Sequence, residues 1–393
     1  MSEQAPPLRD SYEGILQRAR QAASQGNFLD GIDLYRRLDD RLGQLSDRVL
    51  SRRPELRQIW TDARVELAEL LELEGRYAEA VEVKESLLAS DPERADEWRR
   101  DLAVLRAAQG YVDRGLAELR ALAEEKPDEV WRWIYLGAEA RVAGRLAESE
   151  AAFERAVAAG GPEAAEELAV AHYQRFHLFR EAGRVNEALA AWEQAVALNA
   201  EAGQTVREVY TLLTDAGRYS QALEYVARDE NELQAGFQRG LIASRTGKGD
   251  QARREWQVVA ALDPAVYQYG HDAWTEATLR IGDPDRAIEQ LQTLLGRSGT
   301  PRLVMLSGIA WAMKGDTALA AALFQRAIEM QRRGRPPRTK LDSADWHLLD
   351  ALVADEQVKT PLKIYFAVVE TLWDDSETAP GSREGQPSRV LRL

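Results

Sequence analysis

Apolar residues recur three and four positions apart along most of this 393-residue chain, with polar residues between them. Such spacing places the apolar residues on one face of an α-helix. The series Phe28, Ile32, Tyr35, Leu38 and Leu42 is one example. Segments of this kind come in pairs, and each pair is joined by a short turn that contains glycine. The pattern therefore predicts a succession of helical hairpins.

A six-residue turn signature joins the two helices of each predicted hairpin and occurs nine times. It consists of a glycine, four further residues of which the first three vary, and a small residue. Successive small residues are 49, 35, 34, 39, 34, 30, 35 and 33 positions apart. A repeat of this period is typical of a solenoid. The pairs are Gly26/Gly31, Gly75/Ala80, Gly110/Gly115, Gly144/Ser149, Gly183/Ala188, Gly217/Ala222, Gly247/Ala252, Gly282/Ala287 and Gly315/Ala320.

Each part of the signature has a physical reason. Glycine adopts a positive φ angle without strain, so it ends the first helix of a hairpin. The small residue lies about one turn into the second helix, where it allows two antiparallel helices to approach closely. A large apolar residue usually follows four positions later on the same helix face, with Lys84 and Val226 as departures. These large residues are Tyr35, Leu119, Phe153, Trp192, Trp256, Leu291 and Phe324.

These features resemble the tetratricopeptide repeat. The clearest unit is Trp133 to Gly161, in which Leu136, Gly137, Gly144, Ser149, Phe153 and Ala156 follow the family's pattern. The resemblance covers residues 55–332 and, more weakly, 11–43. It implies an all-α fold, an α-solenoid that forms a right-handed superhelix of about eight helical hairpins.

Four regions follow from the repeat positions. Residues 1–54 are expected to form a lead and a divergent hairpin cap, and residues 55–332 the repeat array. Residues 333–373 are predicted to be a helical extension. Residues 374–393 are rich in Ser, Gly, Pro and charge, which is typical of a disordered tail.

The composition excludes several classes of function. The net charge of −14 and the pI of about 5.0 argue against a nucleic-acid partner, which requires basic surfaces. The absence of cysteine excludes disulfides and thiolate metal sites. We expect neither a signal peptide nor a membrane span, because residues 1–10 lack a basic segment followed by an apolar run and no apolar stretch is long enough. We therefore expect a bacterial-type cytoplasmic protein without a cofactor.

The resemblance places ligands on the first helix of each hairpin, which lines the concave groove. Its exposed positions are expected about 18, 15, 11 and 8 residues before the small residue. An apolar groove favours a protein partner, bound as an extended peptide or an amphipathic helix. In the first repeat these positions are acidic: Asp62, Glu69 and Glu72. The predicted groove residues are Trp131, Ile134, Arg141, Tyr173, His177, Arg180, Phe237, Leu241, Tyr269, Met305 and Ile309.

No catalytic or metal site is indicated. His172 and His177 are five residues apart, so they point about 140° apart around a helix and cannot share a metal as an i, i+4 pair does. The Lys and Asn pairs with which some tetratricopeptide proteins grip chaperone tails are missing. The alternative of a helical carbohydrate-active enzyme with two carboxylates conflicts with the repeat period. We predict a non-catalytic scaffold or adaptor.

The helix expected after Pro361 is apolar on nearly all sides. Thr360 is predicted to be its N-cap and Pro361 its first residue. A helix of this kind should be buried, either in this chain's own groove or against a second copy in a homodimer. Self-assembly through this helix is therefore the second functional hypothesis. Its apolar residues are Leu362, Ile364, Tyr365, Phe366, Val368, Val369, Leu372 and Trp373.

Overall fold

The computed structural model describes residues 11–24, 27–295, 300–333, 341 and 343–365. Within these ranges the regular elements are α-helices and short 3₁₀ turns, without strands. The prediction of an all-α fold is confirmed. The described residues form two compact units, one ending at Lys126 and the other beginning at Pro127.

The first unit contains three hairpins, formed by α1 with α2, α4 with α5 and α6 with α7. A short helix, α3, precedes α4. Pro92 begins a 3₁₀ turn that separates the second and third hairpins. The helices are α1 (Tyr12–Ser24), α2 (Phe28–Gly43), α3 (Asp47–Arg52), α4 (Pro54–Leu73), α5 (Tyr77–Ser90), α6 (Ala95–Ala108) and α7 (Val112–Glu125).

The second unit contains six hairpins, in which each even-numbered helix from α8 to α18 pairs with the helix that follows it. A last helix, α20, and a helical segment at residues 356–365 come after them. The helices are α8 (Val130–Val142), α9 (Leu146–Ala159), α10 (Ala165–Glu181), α11 (Val185–Leu198), α12 (Val206–Asp215), α13 (Tyr219–Val226), α14 (Glu232–Arg245), α15 (Gly249–Ala261), α16 (His271–Arg280), α17 (Pro284–Leu295), α18 (Pro301–Met313), α19 (Thr317–Arg333) and α20 (Ser343–Leu352).

The turn glycines have the backbone conformation that the signature predicts. Each of the eight that the structure describes has a φ angle between 69° and 100°, and Gly26 lies outside the described residues. At the turn after α8, the Gly144 amide donates to the Arg141 carbonyl at 2.9 Å. The Arg145 amide donates to the Ala140 carbonyl at 2.8 Å. These two bonds form a Schellman motif, which satisfies the last carbonyls of the helix.

The small and large residues form the seam between the helices of a hairpin. Ser149 is fully buried, and its Oγ donates to the Gly137 carbonyl on the facing helix at 2.7 Å. Phe153 is also fully buried and packs on Gly137. Lys84, which stands where most repeats have a large apolar residue, is buried as well. Its Nζ donates to Asp101 at 2.6 Å and lies 5.1 Å from the ring centroid of Trp98, and these contacts stabilise the buried charge. A charged pair thus replaces the apolar residue in that seam.

The C-terminal segment differs from the prediction at Thr360. The helix already begins at residue 356, and the Thr360 hydroxyl donates to the Glu356 carbonyl within it. Asp355 is the N-cap, since its side chain accepts from the amides of Gln357 and Val358. The predicted boundary is therefore wrong. Leu362 is fully buried within its own chain, and the predicted apolar residues 366–373 lie outside the described residues.

Candidate functional site

Trp131 is the most exposed aromatic residue that the structure describes on α8. It lies in the first turn of that helix, and 42% of its surface is exposed. Its ring centroid lies 6.0 Å from that of Tyr135, one turn further along. Exposed tryptophans frequently anchor protein partners, because a single side chain contributes a large rigid contact area. Trp131 is therefore exposed, and its contact with a partner stays a prediction.

Three predicted groove residues of α10 converge on one carboxylate of α12. The Tyr173 hydroxyl donates to Glu208 Oε1 at 2.5 Å, and Arg180 Nη1 donates to Glu208 Oε2 at 2.8 Å. His177 Nδ1 lies 3.6 Å from the same Oε2 atom. The His177 ring meets the Tyr173 ring edge-on, with the centroids 4.6 Å apart. Each of the three side chains is therefore held in a defined orientation.

Burial controls the protonation of this group. It lowers the pKa of His177 to about 4, although the Glu208 carboxylate acts in the opposite direction. Burial, reinforced by the hydrogen bond to Glu208, raises the pKa of the Tyr173 hydroxyl. At neutral pH the histidine is uncharged and the tyrosine keeps its proton. The group therefore offers neutral polar edges beside the charged Arg180.

Arg141 connects α8 to the same surface. Its guanidinium forms an ion pair with Glu181 at the end of α10, and its side chain is only 19% exposed. We call the surface formed by Trp131, Arg141, Tyr173, His177, Arg180 and Glu208 the α8–α10–α12 face. It combines an exposed aromatic side chain with two fixed guanidinium groups and neutral hydrogen-bonding groups.

Four predicted groove residues are buried instead of exposed. Ile134 packs in the apolar cluster around Phe153 and Phe176, and Phe237 packs in the cluster around Trp256. Met305 and Ile309 have no exposed surface and belong to a cluster that includes residues of α20. The prediction of exposure is wrong for these four, because apolar side chains at these positions pack against neighbouring helices.

The two remaining predicted groove residues are Leu241, on α14, and Tyr269, just before α16. Leu241 of α14 is partly buried against the cluster around Trp256. Tyr269 is 51% exposed, but it precedes α16 and so does not lie on a helix. Gly270, with a φ of 94°, turns the chain directly after it, and the Tyr269 carbonyl accepts from the Asn231 side chain. The assumed helical register is thus wrong at Tyr269.

The acidic positions predicted in the first repeat are partly neutralised. Arg20 of α1 forms ion pairs with Asp62 at 3.4 Å and with Glu66 at 2.5 Å. The Tyr35 hydroxyl also donates to Glu66. Burial and this hydrogen bond raise the pKa of Tyr35. The carboxylates of α4 therefore connect α1 and α2 to α4, which is a structural role.

Glu139 is a titratable residue of α8 that sequence reasoning did not identify. Burial raises the pKa of its carboxyl group to about 7, although the charge of Arg141 acts in the opposite direction. A charged carboxylate at this position lacks the hydration it has in the unfolded chain. Glu139 directly follows the groove position Ala138. Helical periodicity therefore assigns Glu139 to the interior of the hairpin and does not show that its carboxyl group has a raised pKa.

Replacing Glu139 with glutamine should raise the free energy of unfolding at pH 8 by about 1–2 kcal/mol. The folded chain binds this proton near pH 7 and the unfolded chain near pH 4.5, so stability falls as the pH rises between these values. Urea denaturation of both proteins at pH 4.5 and pH 8 measures the difference. The lowered pKa of His177 makes stability rise with pH. This contribution is the same in the wild-type and variant proteins, so it cancels from their difference. An equal difference at both pH values would contradict the assignment.

Glu208 is a further residue that the sequence did not single out. It lies beside Arg207, which occupies the predicted groove position on α12, and no local motif distinguishes it. Only the structure shows that Glu208 accepts hydrogen bonds from Tyr173 and Arg180 of α10. Among the described residues, no helix has the length and apolarity of a membrane span. The same residues contain no cluster of three or more acidic or histidine side chains placed to hold a metal ion.

A family model described as tetratricopeptide repeat matches residues 276–335. Similar solved structures include a tetratricopeptide-repeat protein from Parabacteroides merdae, with 16% identity, 68% of this chain and 97% of that chain covered, and a TM-score of 0.43. For pilF of Pseudomonas aeruginosa the values are 15%, 57%, 98% and 0.34. No curated protein matches the sequence. Residues 276–335 thus match the tetratricopeptide-repeat family, and the eight hairpin turns that the structure describes share one glycine conformation.

Proposed function

We propose that this chain is a non-catalytic scaffold that binds a peptide or a helical segment of a protein partner on the α8–α10–α12 face. Two observations carry the proposal: Trp131 is exposed on α8, and Glu208 holds Tyr173 and Arg180 of α10 in an ordered set of polar side chains. An aromatic anchor beside fixed hydrogen-bonding groups is typical of surfaces that bind proteins. Repeat scaffolds of helical hairpins commonly use such extended surfaces for interaction.

The polar part of the face is organised before a partner arrives. Glu208 holds Tyr173 and Arg180, and Glu181 holds Arg141, so these side chains lose little conformational freedom when a partner binds. Lower entropic cost increases affinity for a given set of contacts. The apolar part supplies area through Trp131 and Tyr135. The partner segment should therefore combine a large apolar side chain with polar groups that reach the two guanidinium groups.

The Trp131→Ala substitution should weaken binding of a selected peptide at least tenfold, because an anchor of this type contributes more than about 1.4 kcal/mol. Peptides are first selected from a displayed random library on the full-length protein. Their dissociation constants for wild type and variant are then measured by fluorescence anisotropy.

Tyr111→Ala is the matched control, since Tyr111 is 47% exposed but lies at the turn between α6 and α7. It should leave the affinity unchanged. Selection of no peptide, or equal affinity of the wild type and the Trp131→Ala protein, would remove the proposal.

A further inference from the structure

The helix α18 is enclosed on nearly all sides, as α14 is, whereas α12 of the same unit is not. Its residues 303–310 are buried without interruption, and Met305 and Ile309 at the predicted groove positions have no exposed surface. On α12 the corresponding residues, Arg207 and Thr211, are exposed. The hairpin partner α19 and the preceding α16 and α17 pack on α18. A further element is needed to enclose a helix that is apolar on all sides.

The additional cover comes from α20, which packs against α18. Leu348 and Leu349 of α20 are buried and belong to the same apolar cluster as Met305 and Ile309. The helix α20 is only ten residues long. A helix of this length is marginal by itself, so its order depends on the surface to which it binds.

An ionic group accompanies the apolar contact. Arg302 of α18 binds Glu276 at 2.6 Å and lies 3.2 Å from Asp272, and it also forms an ion pair with Asp345 of α20. Asp345 has no exposed surface, and the Glu276 side chain is only 4% exposed. Buried carboxylates of this kind are stable only when they are paired.

The charges of this group explain what the surface accepts. Besides Arg302, two further guanidinium groups take part, since Arg280 binds Glu276 at 2.7 Å and Arg207 lies 3.7 Å from Asp272. These three positive groups are paired with Asp272 and Glu276 of α16, and Asp345 supplies the third negative charge. Without Asp345, the five described side chains named here, three guanidinium groups and two carboxylates, would carry one net positive charge. The surface therefore fits a helix that brings a carboxylate.

We propose that α16 and α18 form a docking surface for a partner helix that carries a carboxylate followed by large aliphatic residues three and four positions later. The helix α20 occupies this surface within the chain, with Asp345, Leu348 and Leu349 in those positions. Lys359 donates to Asp350 at 2.8 Å, so the segment 356–365 is tied to α20. A partner must compete with them, and its apparent affinity is reduced by the fraction of molecules in which the surface is closed.

The test uses a fluorescent synthetic peptide of residues 341–365 and the full-length protein. Wild type should bind the peptide weakly, because its own copy fills the surface. The Leu348→Ala/Leu349→Ala protein should bind it at least tenfold more tightly. A peptide with the Asp345→Arg substitution should bind that variant at least tenfold more weakly than the original peptide. Equal binding by the two proteins, or equal binding of the two peptides, overturns the proposal.

Two controls establish whether the peptide binds at α16 and α18. Circular dichroism shows whether the double variant keeps its helical content. If it does not, full-length Asp345→Asn replaces it, because that change removes the ion pair and keeps the apolar side chains. Adding Trp131→Ala should leave peptide binding unchanged, since Trp131 belongs to the α8–α10–α12 face. Loss of binding in that protein would place the peptide on the α8–α10–α12 face and overturn the docking proposal, without contradicting the proposed function.

Discussion

The Gly137→Ala protein should unfold with a free energy about 2–3 kcal/mol lower than that of wild type, as expected for overpacking of a tight core. An added Cβ atom would lie 2.6 to 2.8 Å from three ring atoms of Phe153. The ring has no exposed surface, and the hydrogen bond from Ser149 to Gly137 holds the two helices at this distance. The ring therefore cannot yield without separating α8 from α9. Urea denaturation followed by circular dichroism measures the change.

Gly249→Ala is the control for this prediction. Gly249 begins α15, has an ordinary helical conformation, and has no atom within 4 Å of an added Cβ. Alanine favours the helix over glycine by up to about 1 kcal/mol, so this variant should be equally or more stable than wild type. Equal stability of the Gly137→Ala and Gly249→Ala proteins would show that the seam between α8 and α9 can relax.

The turns and seams could be predicted because their causes are local. A positive φ angle is strained for most residues, so a glycine at a fixed distance from a small residue indicates where a helix ends. Gly144 and Gly183 illustrate this, with φ angles of 72° and 69°. The seam needs only a small residue opposite a large one, as in Gly137 and Phe153. Neither feature depends on residues far away in the sequence.

Exposure on the first helices could not be predicted in the same way. The same groove position holds the partly exposed Tyr173 on α10 and the buried Met305 on α18. Met305 shares an apolar cluster with residues of α20, which lies about 40 residues further along the chain, and Phe237 of α14 is buried at the same position by the cluster around Trp256. Helical periodicity identifies which residues share one face of a helix, whereas the packing of distant segments decides whether that face is buried.

The partners of charged and hydrogen-bonding side chains could not be predicted from local sequence patterns either. Asp345 and Arg302 are 43 residues apart, and Tyr173 and Glu208 are 35 apart. The prediction of where the last helical segment begins was wrong for a different reason. Thr360 and Asp355 are both suitable N-caps, and the structure uses Asp355. Pro361 then lies within a helix that had already begun, so proline was a misleading marker of its start.

The Arg302→Ala protein should lose about 3–5 kcal/mol of stability, because removing one partner of a buried ionic group leaves an excess of buried negative charge. Asp272, Glu276 and Asp345 would all lose their shared guanidinium group. Burial alone would raise the pKa of Asp272, but the charges of Arg302 and Arg207 lower it. Wild type therefore loses the stability that comes from this carboxylate only as the pH falls through its low folded-state pKa. In the variant the pKa of Asp272 should rise, which NMR titration measures.

Arg228→Ala is the matched control, since Arg228 is 51% exposed and pairs with Glu193 at 3.0 Å. An exposed pair of this kind contributes less than about 1 kcal/mol. Arg302→Met separates charge from packing, because methionine keeps much of the apolar stem but cannot pair with the carboxylates. It should be nearly as destabilising as alanine. Adding Asp345→Asn to Arg302→Met should recover part of the stability, since it removes a buried negative charge that has lost its contact with Arg302. A further loss in that double variant would mean that Asp345 stabilises the fold through groups other than Arg302.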